Sequence, residues 1–219
     1  RELMIMDMLR AHPHVIDLLG AAWSDVMLCI ITPWMENGTI GQFLSRNSPD
    51  VYQIVDAMKF LKQSDIIHGD IKGDNILIDS SGNASIIDFG LSFISGPRLT
   101  LSGISNPGAG TIRWMAPERL YPEEWGKGQA TSTFESEIYS LGMVLYEIYS
   151  GNIPFEGSTN SMVVVFVFAG LRPSRPTLIS DDMWHLTERC WHANPSLRPE
   201  IATIFEDLNH RQLESSVQG

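Results

Sequence analysis

His68-Gly69-Asp70-Ile71-Lys72-Gly73-Asp74-Asn75 runs directly into the apolar Ile76-Leu77-Ile78, and Ile86-Ile87-Asp88-Phe89-Gly90 follows a short way on. The first stretch sets an acid, Asp70, five residues before an amide, Asn75, with Lys72 between them. These residue types suit phosphoryl transfer. An acid can accept a hydroxyl proton, a lysine can neutralise phosphate charge, and an amide oxygen can hold a hard metal ion. Asp88 offers a second oxygen ligand of the same kind. Taken singly, each signal is an ordinary turn composition. Their order, their spacing and the apolar strand beside each make them one site.

Outward from this stretch, residues 76–78 and 84–87 flank Ser80-Ser81-Gly82-Asn83 and predict a hairpin. Such a hairpin brings Asn75 and Asp88 to neighbouring ends, where two ligands can share one metal. Upstream, Ile54, Val55, Met58 and Leu61 mark one face of a helix over 49–63, which delivers the chain to Ile66-Ile67 and the loop. Thr39 is the N-cap of a short helix through Phe43 and Leu44, after a connector over 34–38. Pro33 ends a strand, and the apolar stretches 15–23 and 26–31 read as a hairpin joined through Ser24-Asp25. Residues 2–10 suit the end of a helix packed into a core.

Downstream, 91–111 is rich in Ser, Gly, Thr and Pro and long for a connection inside a compact domain, as functional loops are. The apolar residues of 135–150 nearly encircle a helix, which makes it a buried central pillar. Residues 162–169 stay open between strand and helix: valines and phenylalanines favour a strand, their neighbours a helix. Amphipathic helices are expected over 181–192 and 200–213.

The chain has 219 residues, 43% of them apolar, enough for a substantial core. A formal net charge of -11 and the absence of Lys/Arg clusters argue against a nucleic-acid partner. Cys29 and Cys190 sit in apolar contexts without metal-ligand spacing and read as buried thiols of a reducing, cytoplasmic compartment. No run approaches the roughly twenty apolar residues that span a bilayer. The first residue is Arg1 and not Met, which reads as a fragment of a longer chain.

With these residues laid out, positions 2–213 resemble a eukaryotic-type protein kinase domain, and within it the tyrosine-kinase-like branch. Five landmarks carry the resemblance in order: the 68–75 loop; Asp88-Phe89-Gly90; Gly110-Thr111-Ile112-Arg113-Trp114-Met115-Ala116-Pro117-Glu118; the pillar helix; and Cys190-Trp191 leading to Arg198-Pro199. The resemblance implies a mostly helical α+β, protein-kinase-like fold. Residues 1–31 would be a remnant of the N-terminal lobe, 32–38 the hinge, 39–213 a near-complete C-terminal lobe and 214–219 a tail.

The implied function is serine/threonine protein kinase, transferring the ATP γ-phosphate with Mg2+ to a protein substrate. Asp70 would be the catalytic base, Lys72 would contact the transferred phosphate, and Thr111 would hydrogen-bond both. Lys72 and Thr111 point to serine/threonine substrates. Asn75 and Asp88 would bind magnesium. Thr32 matches the gatekeeper, the Pro33 carbonyl and Met35 N–H would meet adenine, Leu77 would floor the base, and Glu2 matches the regulatory-helix glutamate. Glu118 would pair with Arg198, and Glu137 would anchor the catalytic loop where the family usually has aspartate. Nothing in the sequence specifies an oligomeric state.

The chain also departs from the family pattern. No glycine-rich loop and no strand lysine precede Glu2 in this polypeptide, so half the phosphate grip is missing from it. Poor Mg-ATP affinity and little transfer by the chain alone are expected. Gly69 replaces the arginine that pairs with a phosphorylated activation loop, which implies activation without phosphate on Ser92, Ser95, Thr100, Ser102 or Ser105. Two other readings stand beside this one. A non-catalytic kinase-like scaffold would fit the missing upper half. A small-molecule phosphotransferase of the aminoglycoside-kinase type shares His-Gly-Asp, but Phe89-Gly90 and Met115 to Glu118 favour protein substrates.

Overall fold

The computed structural model describes residues 1–10, 12–44, 49–95 and 111–217, with side chains as far as residue 210. Helix α1 (Glu2–Met8) buries Ile5 and Met6. Strands β1 (Gly20–Trp23) and β2 (Leu28–Ile31) form the expected antiparallel hairpin, Trp23 facing Leu28, and Ser24 closes the turn against Met27. The first strand is shorter than its apolar run because Val15 and Ile16 find backbone partners far away. Ile16 N–H donates to Ile86 O (3.0 Å) and Ile86 N–H to His14 O (3.0 Å). Beside them, His12 stacks on Phe60 and reaches Asp56 at 3.4 Å, which docks this segment on the helix that carries both.

Strand β3 (Gly38–Thr39) leads into α2 (Ile40–Phe43), capped at Thr39 as expected, with Thr39 N–H donating to Gln42 Oε1 (2.9 Å). Helix α3 (Val51–Gln63) starts two residues later than the pattern suggested because Asp50 is its cap and accepts from Tyr52 N–H (2.9 Å). It buries Ile54, Val55, Ala57, Met58 and Leu61. Strands β4 (Ile66–Ile67), β5 (Ile76–Ile78), β6 (Ala84–Ile86) and β7 (Phe93–Ile94) complete two small antiparallel sheets, ordered β3-β5-β6 and β4-β7.

Helix α4 (Pro117–Leu120) precedes α5 (Phe134–Ser150), the pillar. Thr133 caps α5 by accepting from Ser136 N–H, Gly151 ends it in the left-handed region, and residues on every side of it are buried. The open segment is helical: α6 (Asn160–Phe168) is capped by Thr159, which accepts from Met162 N–H (3.3 Å). Val163 and Val167, one helical turn apart, face the interior, and that burial outweighs the mild helix cost of valine. Helices α7 (Asp181–Cys190) and α8 (Ile201–Val217) close the lower part, α7 against α5 and α8 against α3. Cys190 is buried as expected, whereas Cys29 on β2 is only half-buried. No helix among the described residues is long and apolar enough to cross a membrane.

Candidate active site

Two strand pairs hold the 68–75 loop. The β4–β7 pair sets Ile66 opposite Ile94, so the backbone after Asp88-Phe89-Gly90 returns beside the strand that enters the loop. The β5–β6 hairpin aligns Ile76 with Ile86, and Ile87 N–H donates to Asn75 O (2.9 Å). Asn75 and Asp88 thus stand at neighbouring ends, as the hairpin required.

His68 is fully buried and packs edge-on against Phe89. Its Nε2 is 2.9 Å from Ile87 O, and its Nδ1 accepts from Asp70 N–H (3.2 Å), an arrangement that fits the neutral ring. Burial holds its pKa below the usual imidazole range. Ser92 Oγ donates to His68 O (2.9 Å) and is fully buried, so this one of the five positions named in the sequence is sealed from solvent. Ser95 is described and half-buried, while Thr100, Ser102, Ser105 and Gly110 lie outside the described residues.

Asp70 is 6% exposed, and its two carboxylate oxygens differ. Oδ2 accepts from Lys72 Nζ (2.6 Å) and Asn75 Nδ2 (3.0 Å), whereas Oδ1 is buried without a partner. Lys72 Nζ also donates to Thr111 Oγ1 (3.2 Å). Thr111 therefore meets the lysine as expected, but makes no direct bond to Asp70 among the described residues. The amide of Asn75 is spent on Asp70 O and Oδ2, which leaves its own oxygen outside any hydrogen bond among the described residues. Asp88 has a left-handed backbone (φ 63°) and accepts from Gly90 N–H (3.2 Å). For a residue other than glycine that conformation is costly and is typical of functional positions.

Glu2 reaches this corner from α1. A Cβ on Gly90 would lie 3.7 Å from its carboxylate, and Arg1 donates to Gly90 O (2.6 Å). Burial, and next the Asp88 charge, raise the Glu2 pKa. No lysine pairs with Glu2 among the described residues. On the opposite rim, Thr32 is exposed, Pro33 half-buried and Met35 buried. Neither the Pro33 carbonyl nor the Met35 N–H is used in a hydrogen bond among the described residues, while Met35 O accepts from Gly38 N–H (3.1 Å). Leu77, on β5 opposite Thr39, is half-buried where β3 leaves the hinge. A cavity of about 390 Å3 opens along Trp34, Met35, Asn37 and Phe43, beside the hinge and away from Asp70.

Buried acids on α5 brace the loop from below. Glu137 Oε1 accepts from Gly69 N–H (2.7 Å), the anchoring expected of it. Gly69 has a φ of 88°, and a Cβ there would meet Leu91 O at 3.2 Å, so only glycine fits this backbone without strain. Glu147 accepts from Trp114 Nε1–H (3.1 Å) and sits where a Cβ on Gly73 would lie, tying the segment before α4 to the loop. Arg119 and Glu147 were not singled out in the sequence: these partners are 50 and 33 residues away and no local pattern marks them.

Burial raises both Glu137 and Glu147 from 4.5 to about 7. A raised carboxylate favours the fold below its unfolded pKa, and that contribution is lost as pH climbs through the folded value. Stability should therefore fall between pH 4.5 and about pH 7 on account of these two groups. Glu147→Gln should reduce the fall in urea-unfolding free energy by about 2 kcal/mol. Equal falls in the two proteins would refute this assignment.

Residues 1–208 match the family of protein tyrosine and serine/threonine kinases. The chain belongs to that protein kinase family. Among its relatives, the serine/threonine-protein kinase STY17 of Arabidopsis thaliana is 32% identical over 220 residues, 95% of this chain and 36% of the relative. A putative serine/threonine-protein kinase/receptor of Acanthamoeba polyphaga mimivirus is 32% identical over 217 residues, 95% of this chain and 12% of that protein. The serine/threonine/tyrosine-protein kinase HT1 of Arabidopsis thaliana is 29% identical over 208 residues, 90% of this chain and 50% of that protein. The chain thus spans between 12% and 50% of the length of these curated relatives. The kinase-like α+β architecture described above, mostly helical, is this family's fold.

Proposed function

We propose that the protein is a serine/threonine kinase that transfers the γ-phosphate of ATP to a protein hydroxyl, with Asp70 as the base. The observation that carries this reading is the asymmetry of the Asp70 carboxylate. Lys72 and Asn75 orient it through Oδ2, and Oδ1, buried and without a partner, keeps a free lone pair that can take a hydroxyl proton. A structural ion pair has no need of such an orphaned oxygen, which is costly to bury.

The donor set fits magnesium, which takes oxygen ligands from one or two side chains and the rest from water and phosphates. The free oxygen of Asn75 and the carboxylate of Asp88 would hold it. Among the described residues no cluster of three or more His, Cys, Asp or Glu offers a different metal site. Bound there, magnesium supplies charge neutralisation at the phosphates. Lys72 binds phosphate charge from the protein side, and the unused Pro33 carbonyl and Met35 N–H supply an acceptor and a donor for adenine over Leu77. The free thiols of Cys29 and Cys190 fit an intracellular place.

We read residues 39–213 as the catalytic lobe and 1–31 as part of the nucleotide lobe. This polypeptide by itself should then bind Mg-ATP weaker than about 100 μM, because the grip on the phosphates is one-sided. Isothermal calorimetry tests this, and low-micromolar affinity would overturn it. Transfer is tested with a form that also carries a glycine-rich strand-turn-strand and its lysine, using labelled ATP and a mixed protein substrate. Label on serine and threonine is expected; label on tyrosine alone, or none, would reject the assignment.

A further inference from the structure

Gly69 cannot supply the side chain that its position usually carries in this family, yet its backbone is held on both sides, at the peptide before it and at the peptide that joins it to Asp70. Its N–H donates to Glu137 Oε1 (2.7 Å), and its carbonyl accepts from Arg119 Nη1 (3.2 Å). Arg119 comes from α4, directly after Glu118, whose carboxylate is locked to Arg198. We propose that Arg119 is a positioning residue, clamping the Gly69 peptide from α4 so that the next residue, Asp70, is held in register for proton transfer. The inference rests on the kinase reading above.

Three observations support it. The Arg119 Nε is sealed from water and has no partner, so the side chain is held in place by its other contacts at a desolvation cost. The carboxylates of Glu137, Asp70 and Glu118, from three separate elements, all act on this guanidinium. Glu137 in turn feels Arg119 as the one cation that favours its ionised form, against burial. Arg119 thus lies between the acid that anchors the loop and the acid that would do the chemistry, which Lys72 also pairs. Because Glu118 is fixed through Arg198, the clamp also makes the geometry of Asp70 depend on the seating of the segment before α4. A loop arginine facing a phosphorylated segment would couple the same two regions by another route.

The test uses Arg119→Met and the charge-conserving Arg119→Lys in this chain. In the methionine variant the Gly69 and Asp70 amides should exchange with deuterium at least ~10-fold faster than the loss of global stability in urea accounts for. The NMR titration midpoint of Glu137 should move above about 7. Arg119→Lys should restore the midpoint and part of the protection, and it decides the matter alone if the methionine variant does not fold. Amide protection that falls only in step with global stability, or an unmoved Glu137 midpoint, would overturn the clamp. In a form with turnover, Arg119→Met should lower kcat by ~10²-fold at unchanged KM for ATP. A parent without turnover would count against the kinase reading, while exchange and titration would still judge the clamp.

Discussion

Replacement of Asp70 by asparagine is expected to lower phosphate transfer by about three orders of magnitude, the range that a lost general base costs. The substitution is nearly isosteric. An asparagine oxygen can still accept from Lys72 and Asn75 as Oδ2 does now (2.6 and 3.0 Å), so the loop should keep its shape. What changes is the other atom. The partnerless Oδ1 becomes an NH2 that cannot take a proton and presents hydrogens to the incoming hydroxyl. Thermal stability and Mg-ATP affinity should stay close to those of the parent, separating a chemical loss from a folding or binding loss. Turnover within tenfold of the parent would exclude Asp70 as the base.

The largest effect on stability is expected at Glu118 and Arg198. Their ion pair joins α4 to the turn before α8 and is inaccessible to water, at 1% and 0% side-chain exposure. The guanidinium is saturated: Nε donates to His192 O, Nη1 to Glu118 Oε1 and Glu135 O, and Nη2 to Glu118 Oε2 and Ala193 O. Glu118→Ala leaves that cation buried with two donors unpaired and should cost about 3–5 kcal/mol, read from the urea midpoint at constant slope. Arg198→Lys should also lose a large part of this, because an ammonium has three donors where five are used. The double variant Glu118→Ala/Arg198→Met should cost less than the sum of its parts, since it removes the stranded charge. A loss below about 1 kcal/mol for Glu118→Ala would mean that the pair adds nothing to stability.

Much of this architecture was legible in the sequence because it depends on local chemistry. The cap at Thr39, the one-sided apolar face of 49–63, the turn around Gly82 and the all-round apolar character of 135–150 act within a few residues of themselves. Each led to the right element with ends shifted by a residue or two. The pairing of Asn75 with Asp88 was also readable, because a hairpin of known register carries its ends along with it. The helical state of 160–168 was not. Valine and phenylalanine serve a strand or a buried helix equally well, and only the burial of Val163 and Val167 against neighbouring segments separates the two.

The site divides in the same way. Order and spacing alone identified Asp70, Lys72, Asn75 and Asp88, because a loop between two strands brings them together whatever surrounds it. Tertiary structure alone decided which oxygen of Asp70 is free, that Ser92 is sealed beneath His68, that Glu137 and Glu147 titrate near 7, and that Arg119 closes on Gly69 from another element. These properties depend on desolvation and on partners tens of residues away. Burial and long-range contact exist only once the chain has folded, so no local pattern of residue types records them.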